Sequence, residues 1–169
     1  ARSFFVSALP RMCTFPEFLR SMYTFGDVNT SVFISPVSES SSQTDLNRTI
    51  NELEAERLVA IDRGDINRER ILAQKRIEAE DLRDQIASGF NKLYESTIVC
   101  TLFAYSLEDL DKETELLASE MSKTLIDVKP AWAIQEEAFR SNLPFNENTI
   151  KKAHNFDRNS MATVFPFFS

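Results

Sequence analysis

Residues 94–117 read YESTIVCTLFAYSLEDLDKETELL, and a change of period inside this stretch decides the fold. From Ile98 onward the side chains alternate, with Ile98, Cys100, Leu102 and Ala104 against Val99, Thr101, Phe103 and Tyr105. That is the two-residue period of a strand. Both sides are largely apolar, so the strand is predicted to be central, with cover on each face. At Ser106 the period becomes helical. Ser106 and Asp109 stand at capping-box spacing, and Leu107, Leu110, Thr114, Leu117, Met121 and Leu125 form one stripe.

Toward the N-terminus, SFFVSAL (3–9) is a short strand closed by Pro10. A helix follows in TFPEFLRSMYTFGD, with Thr14 and Glu17 at capping-box spacing, Pro16 in its first turn and Gly26 after its last. VNTSVFISPV (28–37) alternates again, Thr30, Val32 and Ile34 against Ser31, Phe33 and Ser35, until Pro36 interrupts it. SESSSQT (38–44) reads as a polar loop. Beyond it, Leu46, Ile50 and Leu53, then Leu72, Ala79, Leu82 and Ile86, recur at helical spacing around RGDIN (63–67). There Gly64 can end one helix and Asp65 can cap the next, which makes 44–89 a helical hairpin with one narrow apolar seam per helix. Arg48 with Glu52 and Arg76 with Glu80 support its exposed faces at i, i+4. The RGD tripeptide is explained by these caps without invoking adhesion.

Toward the C-terminus, IDVKPAWA (126–133) supplies a fourth strand kept short by Pro130, and IQEEAFRSN (134–142) a last short helix. Strand, helix, strand, hairpin, strand, helix, strand is the order of an α+β ferredoxin-like sandwich, two βαβ halves with a long helical hairpin inserted between strands two and three. The predicted organisation is one domain over 1–169: a sandwich from 1–37 and 92–143, the insertion at 44–89, and a C-terminal lead at 144–169.

The chain has 169 residues and a net charge of -7. Residues 90–127 hold eight carboxylates against three lysines, whereas 128–169 carry four against five basic residues. An acidic balance argues against a phosphate-binding surface as the main activity, leaving Lys151, Lys152 and Arg158 as a local basic spot. No stretch approaches the roughly 18 unbroken apolar residues of a membrane helix, and ARSFFVSALP lacks the features of a signal peptide.

The groups that chemistry needs are sparse. Gly26, Gly64 and Gly89 are too far apart for a phosphate-cradling loop, and no GxSxG turn accompanies the serines. Cys13 and Cys100 form no metal or redox spacing, and His154 is the single histidine. Glu108, Asp109, Asp111, Glu113 and Glu115 fall opposite the leucine stripe, where solvation alone explains them. No catalytic, metal or cofactor site is expected within these residues.

MATVFPFFS (161–169) is the greasiest stretch of the chain. Chain ends are normally polar unless tied down, so Phe165, Pro166, Phe167 and Phe168 are expected to meet a covering body that has been cut away, and residues upstream of Ala1 are expected too.

Taken in order, FGDVNTSVFISPV (25–37), the hairpin, YESTIVCTLFAYSLEDLDKETELL (94–117), VKPAWAIQEEAFRSNLPFNEN (128–148) and NFDRNSMATVFPFFS (155–169) resemble the large ATPases of conjugation and type IV secretion machines, of the TraC/TrbE kind, especially those of Gram-positive conjugative elements. The resemblance implies that this is their N-terminal domain, and that the FPF run enters a RecA-like motor domain bearing the Walker motifs. ATP and Mg²⁺ would belong to that motor. It further implies a cytoplasmic position at the inner face of the membrane, sister subunits in a hexamer, and contacts with channel proteins. Asn155, Phe156, Asp157 and Arg158 depart from the family pattern, so no substrate role carries over to that loop. The expected function is noncatalytic assembly. The alternative is guidance of single-stranded DNA by Lys151, Lys152 and Arg158, with Phe156 as a stacking platform.

Overall fold

In the computed structural model, residues 1–10 and 18–165 are described. Their elements run β1 (Arg2–Ala8), α1 (Arg20–Thr24), β2 (Val28–Pro36), α2 (Glu39–Asp62), α3 (Ile66–Ala87), β3 (Leu93–Leu102), α4 (Leu107–Lys123), β4 (Asp127–Pro130), α5 (Gln135–Ser141), β5 (His154–Asp157) and α6 (Arg158–Val164). This is an α+β fold with a five-stranded antiparallel sheet rather than the four strands expected. Thr14, Pro16 and Glu17, the predicted start of the first helix, lie outside the described residues.

The sheet orders its strands β2-β3-β1-β4, and β5 also pairs with β3. β1 runs antiparallel to β3, with Phe4 opposite Cys100, and antiparallel to β4, with Val6 opposite Val128. β3 is therefore central, as its two apolar faces require, and Ser96 to Leu102 are all buried. Alternation then divides the core. On one face Phe4, Val6, Ile98, Cys100 and Leu102 pack with Met22 of α1 and with Leu110, Leu117 and Met121 of α4. On the other, Val99 and Phe5 meet Ala131, Ala138 of α5, and Ile150.

α4 begins where the capping box places it. Ser106 Oγ accepts from the Asp109 N–H at 3.0 Å and donates to the Asp109 carboxylate at 2.6 Å. Its stripe is shorter than the sequence suggested, because Leu107 and Leu125 are exposed. Leu125 lies past the C-cap at φ 58°, where its N–H donates to the Ser122 carbonyl and that of Ile126 donates to Met121. This is the Schellman arrangement, with leucine in the left-handed position that glycine normally takes, and it is Ile126 that turns inward. Leu125→Gly is accordingly expected to stabilise the chain by about 1 kcal/mol, read as a higher urea midpoint. A lowered midpoint would show that the leucine side chain contributes more than its backbone costs.

Residues Pro36–Leu93 form a second compact unit, built from α2 and α3. The 38–44 segment, expected as a polar loop, is helical from Glu39. Ser38 is its N-cap, accepting from the Ser41 N–H at 3.2 Å, and Gln43 donates to Glu39 one turn on. Serines make good caps but carry no apolar period, so the spacing that reveals helices is silent there. At the turn, Gly64 takes φ 68° and Asp65 accepts from the Arg68 N–H, the two roles anticipated for them. The Arg48–Glu52 and Arg76–Glu80 pairs form at 2.8 and 3.3 Å.

Candidate functional site

β1 and β4 together build an aromatic and basic corner beside the sheet. The register that pairs Arg2 with Leu102 sets the arginine at the start of β1, while the chain leaving β4 delivers Trp132 two residues after Pro130. The Arg2 guanidinium lies 5.6 Å from the centre of the indole ring. Its Nη2 donates to Asp111 at 2.7 Å and its Nη1 to Thr114 Oγ1 at 2.9 Å, both on α4. Arg2 is thus a neutralised platform under the ring, and Trp132 remains 74% exposed. A large rigid aromatic held from beneath is the kind of group that anchors protein contacts. Tyr105 and Leu107, on the approach to α4, are also exposed.

A buried polar network fixes the segment that carries this tryptophan. The Ser3 N–H donates to the Gln135 side-chain oxygen at 2.8 Å, and the Gln135 amide returns a bond to the Ser3 carbonyl at 2.9 Å. Ser3 Oγ and Thr101 Oγ1 share a hydrogen bond of 2.9 Å, and Asn142 Nδ2 donates to the same threonine at 2.7 Å. Farther along, Ser141 and Thr149 hydroxyls lie 2.7 Å apart, and Asn148 donates to Thr97. The residues between β4 and β5 are thereby pinned across the second sheet face. At the edge of the sheet a shallow groove of about 270 Å³ runs between Val32 and Phe33 of β2 and Leu143 and Pro144.

The sequence-predicted residues fall in different places. Phe165 follows α6 and is 58% exposed, whereas Pro166, Phe167 and Phe168 lie outside the described residues. Lys151 and Lys152 are exposed, and Arg158 opens α6. Phe156, expected as a stacking platform, is instead in the core against Phe18, because β5 turns it inward. It offers no face to a base. His154 Nε2 is 2.9 Å from the Val6 carbonyl, a structural use of the ring. Burial pushes the Cys100 thiol from 9.0 up to about 12, so it stays protonated and unreactive at neutral pH. Cys13 lies outside the described residues. Of the α4 carboxylates, Asp109 serves the cap and Asp111 pairs with Arg2. Among the described residues no three or more His, Cys, Asp or Glu side chains gather as a metal site, and no helix is long and apolar enough to cross a membrane.

The sequence reading missed the Arg2–Trp132 platform. Lys129, Pro130 and Trp132 looked like the end of a strand, and only the pairing of β1 with both β3 and β4 brings Arg2 to the ring. No protein-family model matches the chain, and no curated protein matches its sequence.

Proposed function

We propose that the chain is a noncatalytic assembly domain, the N-terminal part of a conjugative or type IV secretion ATPase of the TraC/TrbE kind. The observation that carries the assembly reading is Trp132, largely exposed yet held in place by Arg2, Asp111 and Thr114. Rigid placement reduces the ordering cost of docking, which an exposed but loose side chain would pay in full. The order β2-β3-β1-β4, with β1 antiparallel to both neighbours, supports a ferredoxin-like sandwich that carries α2 and α3 between strands two and three. Channel proteins and sister subunits at the inner face of the cell membrane are the partners in this reading. ATP and Mg²⁺ are assigned to a motor domain following Ser169, with Phe165, Pro166, Phe167 and Phe168 at the junction. Burial of Phe156 weighs against the single-stranded DNA alternative, since such binding combines a basic groove with bases stacked on exposed aromatic faces, and this ring is not exposed.

The gene itself supplies the test. Translated beyond Ser169, it is expected to show a strand followed by GxxxxGK[ST] and a helix within the next domain's length, roughly 100–200 residues. A stop codon, or a continuation without that motif, would remove the ATPase assignment.

A further inference from the structure

The hairpin buries one seam and leaves another apolar surface in water. Ile50, Ala60, Leu72 and Ile86 are buried as α2 packs on α3, yet Leu58, Ile61, Ile66 and Ile77 are 54%, 48%, 72% and 55% exposed. Leu58 and Ile61 are neighbours at i, i+3 on α2. Ile66 and Ile77 are separated by about three whole turns of α3, which returns them to the same flank. Ile61 and Ile66 line one groove at the turn, so the two flanks belong to one face of the hairpin.

Most charges bordering that face are used within the hairpin. Glu54 meets Arg57 and Arg76 at 3.2 and 3.5 Å, Glu69 meets Arg57 at 2.8 Å, and Glu80 meets Arg76 at 3.3 Å. Asp65, four residues after Ile61, accepts from the Arg68 N–H, and Asp81, four after Ile77, accepts from the Gln85 amide, whereas Asp62, four after Leu58, and Arg70, four after Ile66, have neither an ion-pair nor a side-chain hydrogen-bond partner among the described residues. One acid and one base flanking an apolar patch form a self-complementary pattern. A two-fold axis lying in the plane of the patch and parallel to the helices stacks α2 of each copy on α3 of the other, sets Asp62 of each against Arg70 of the other and covers the isoleucines of both. A partner of a single charge sign would leave one of these groups opposed by its own kind.

We infer that this face is a self-association surface on which a second copy of the chain packs hairpin to hairpin as a four-helix bundle. The inference rests on the assembly reading above and names its partner. Helices of 24 and 22 residues are each over about 30 Å long, and laid side by side they present a face of roughly 600–700 Å². That approaches the ~800 Å² per partner of stable complexes.

Sedimentation equilibrium of the whole chain, from about 1 to 200 μM, tests it. A reversible monomer–dimer equilibrium is expected. Ile66→Glu combined with Ile77→Glu should weaken it about a hundredfold. Both positions are exposed, so the circular dichroism should be unchanged. Asp62→Lys should weaken the dimer about tenfold, and adding Arg70→Glu to it should restore the affinity. A chain monomeric throughout, or a dimer indifferent to these changes, would overturn the proposal; failure of the charge swap to restore affinity would overturn the two-fold register. A monomeric chain whose gene continues into a P-loop motor would refute self-docking alone, whereas a hairpin dimer from a gene without that motor would refute the ATPase assignment alone.

Discussion

Leu117→Ala is expected to lower the unfolding free energy by about 2–5 kcal/mol, while Leu116→Ala, at the adjacent residue, changes it by no more than about 0.5 kcal/mol. The difference lies in which way α4 faces. Leu117 is fully buried against the sheet with Ile98, Cys100, Leu102 and Met121, and Leu116, one residue and 100° away, is 56% exposed. Truncation at 117 loses both the transfer energy of the side chain and the contacts around the cavity. At 116 water refills the space. A small domain has roughly 5–15 kcal/mol to lose, so the first variant should have a urea midpoint visibly below the parent's. The single tryptophan, Trp132, belongs to the sheet unit, so its fluorescence follows that unit and not the hairpin. Equal effects at the two positions would mean that α4 docks by another face.

Thr101→Val should be nearly as damaging, although it opens no cavity. Valine has almost the shape of threonine, but it removes the oxygen that joins Ser3 to Asn142. The cost is about 1–3 kcal/mol for each buried polar group left without a partner. Ser3→Ala added to Thr101→Val removes one of those orphans, so the double variant should be more stable than the sum of the single effects predicts. The Asn142 side-chain oxygen, Oδ1, is already buried without a hydrogen-bond partner among the described residues, which gives the network little capacity to rearrange. Strict additivity in the cycle would show that Ser3 and Thr101 do not act through their hydroxyls. Loss of this network should also loosen the segment bearing Trp132, visible as faster amide exchange between 131 and 150 at unchanged exchange in α4.

β3 and α4 were legible because each carries several side chains in one unbroken period, and because Ser106 and Asp109 mark the junction. The hairpin was legible from its seam and from Gly64 and Asp65. Its first turn was not, since Ser38 to Thr44 contain no apolar residue to set a phase. β5 was missed for a different reason. HNFD is only four residues long, and what makes it a strand is its partner β3, a contact far away in sequence. The platform at Trp132 shares this cause, because neither Arg2 nor Asp111 is near it in the chain. Local order is written in local patterns, whereas this candidate site is assembled from three separated elements. Thr101 shows a further limit: within its alternating strand it reads as a small polar residue on an apolar face, and only its two partners make it a keystone.

One backbone bond at the foot of the hairpin has a consequence for how such chains can diversify. The Val37 N–H donates to the Leu93 carbonyl at 3.0 Å, so the segment leaves and rejoins the chain at a single closed point. Everything between those residues is a cassette. Matched turns added to or removed from α2 and α3 together leave the separation of their ends at the foot unchanged, because the two helices run antiparallel and each turn out is matched by a turn back. The length of the arm is therefore a quantity the rest of the chain does not fix: Val37 and Leu93 stay bonded whatever lies between them.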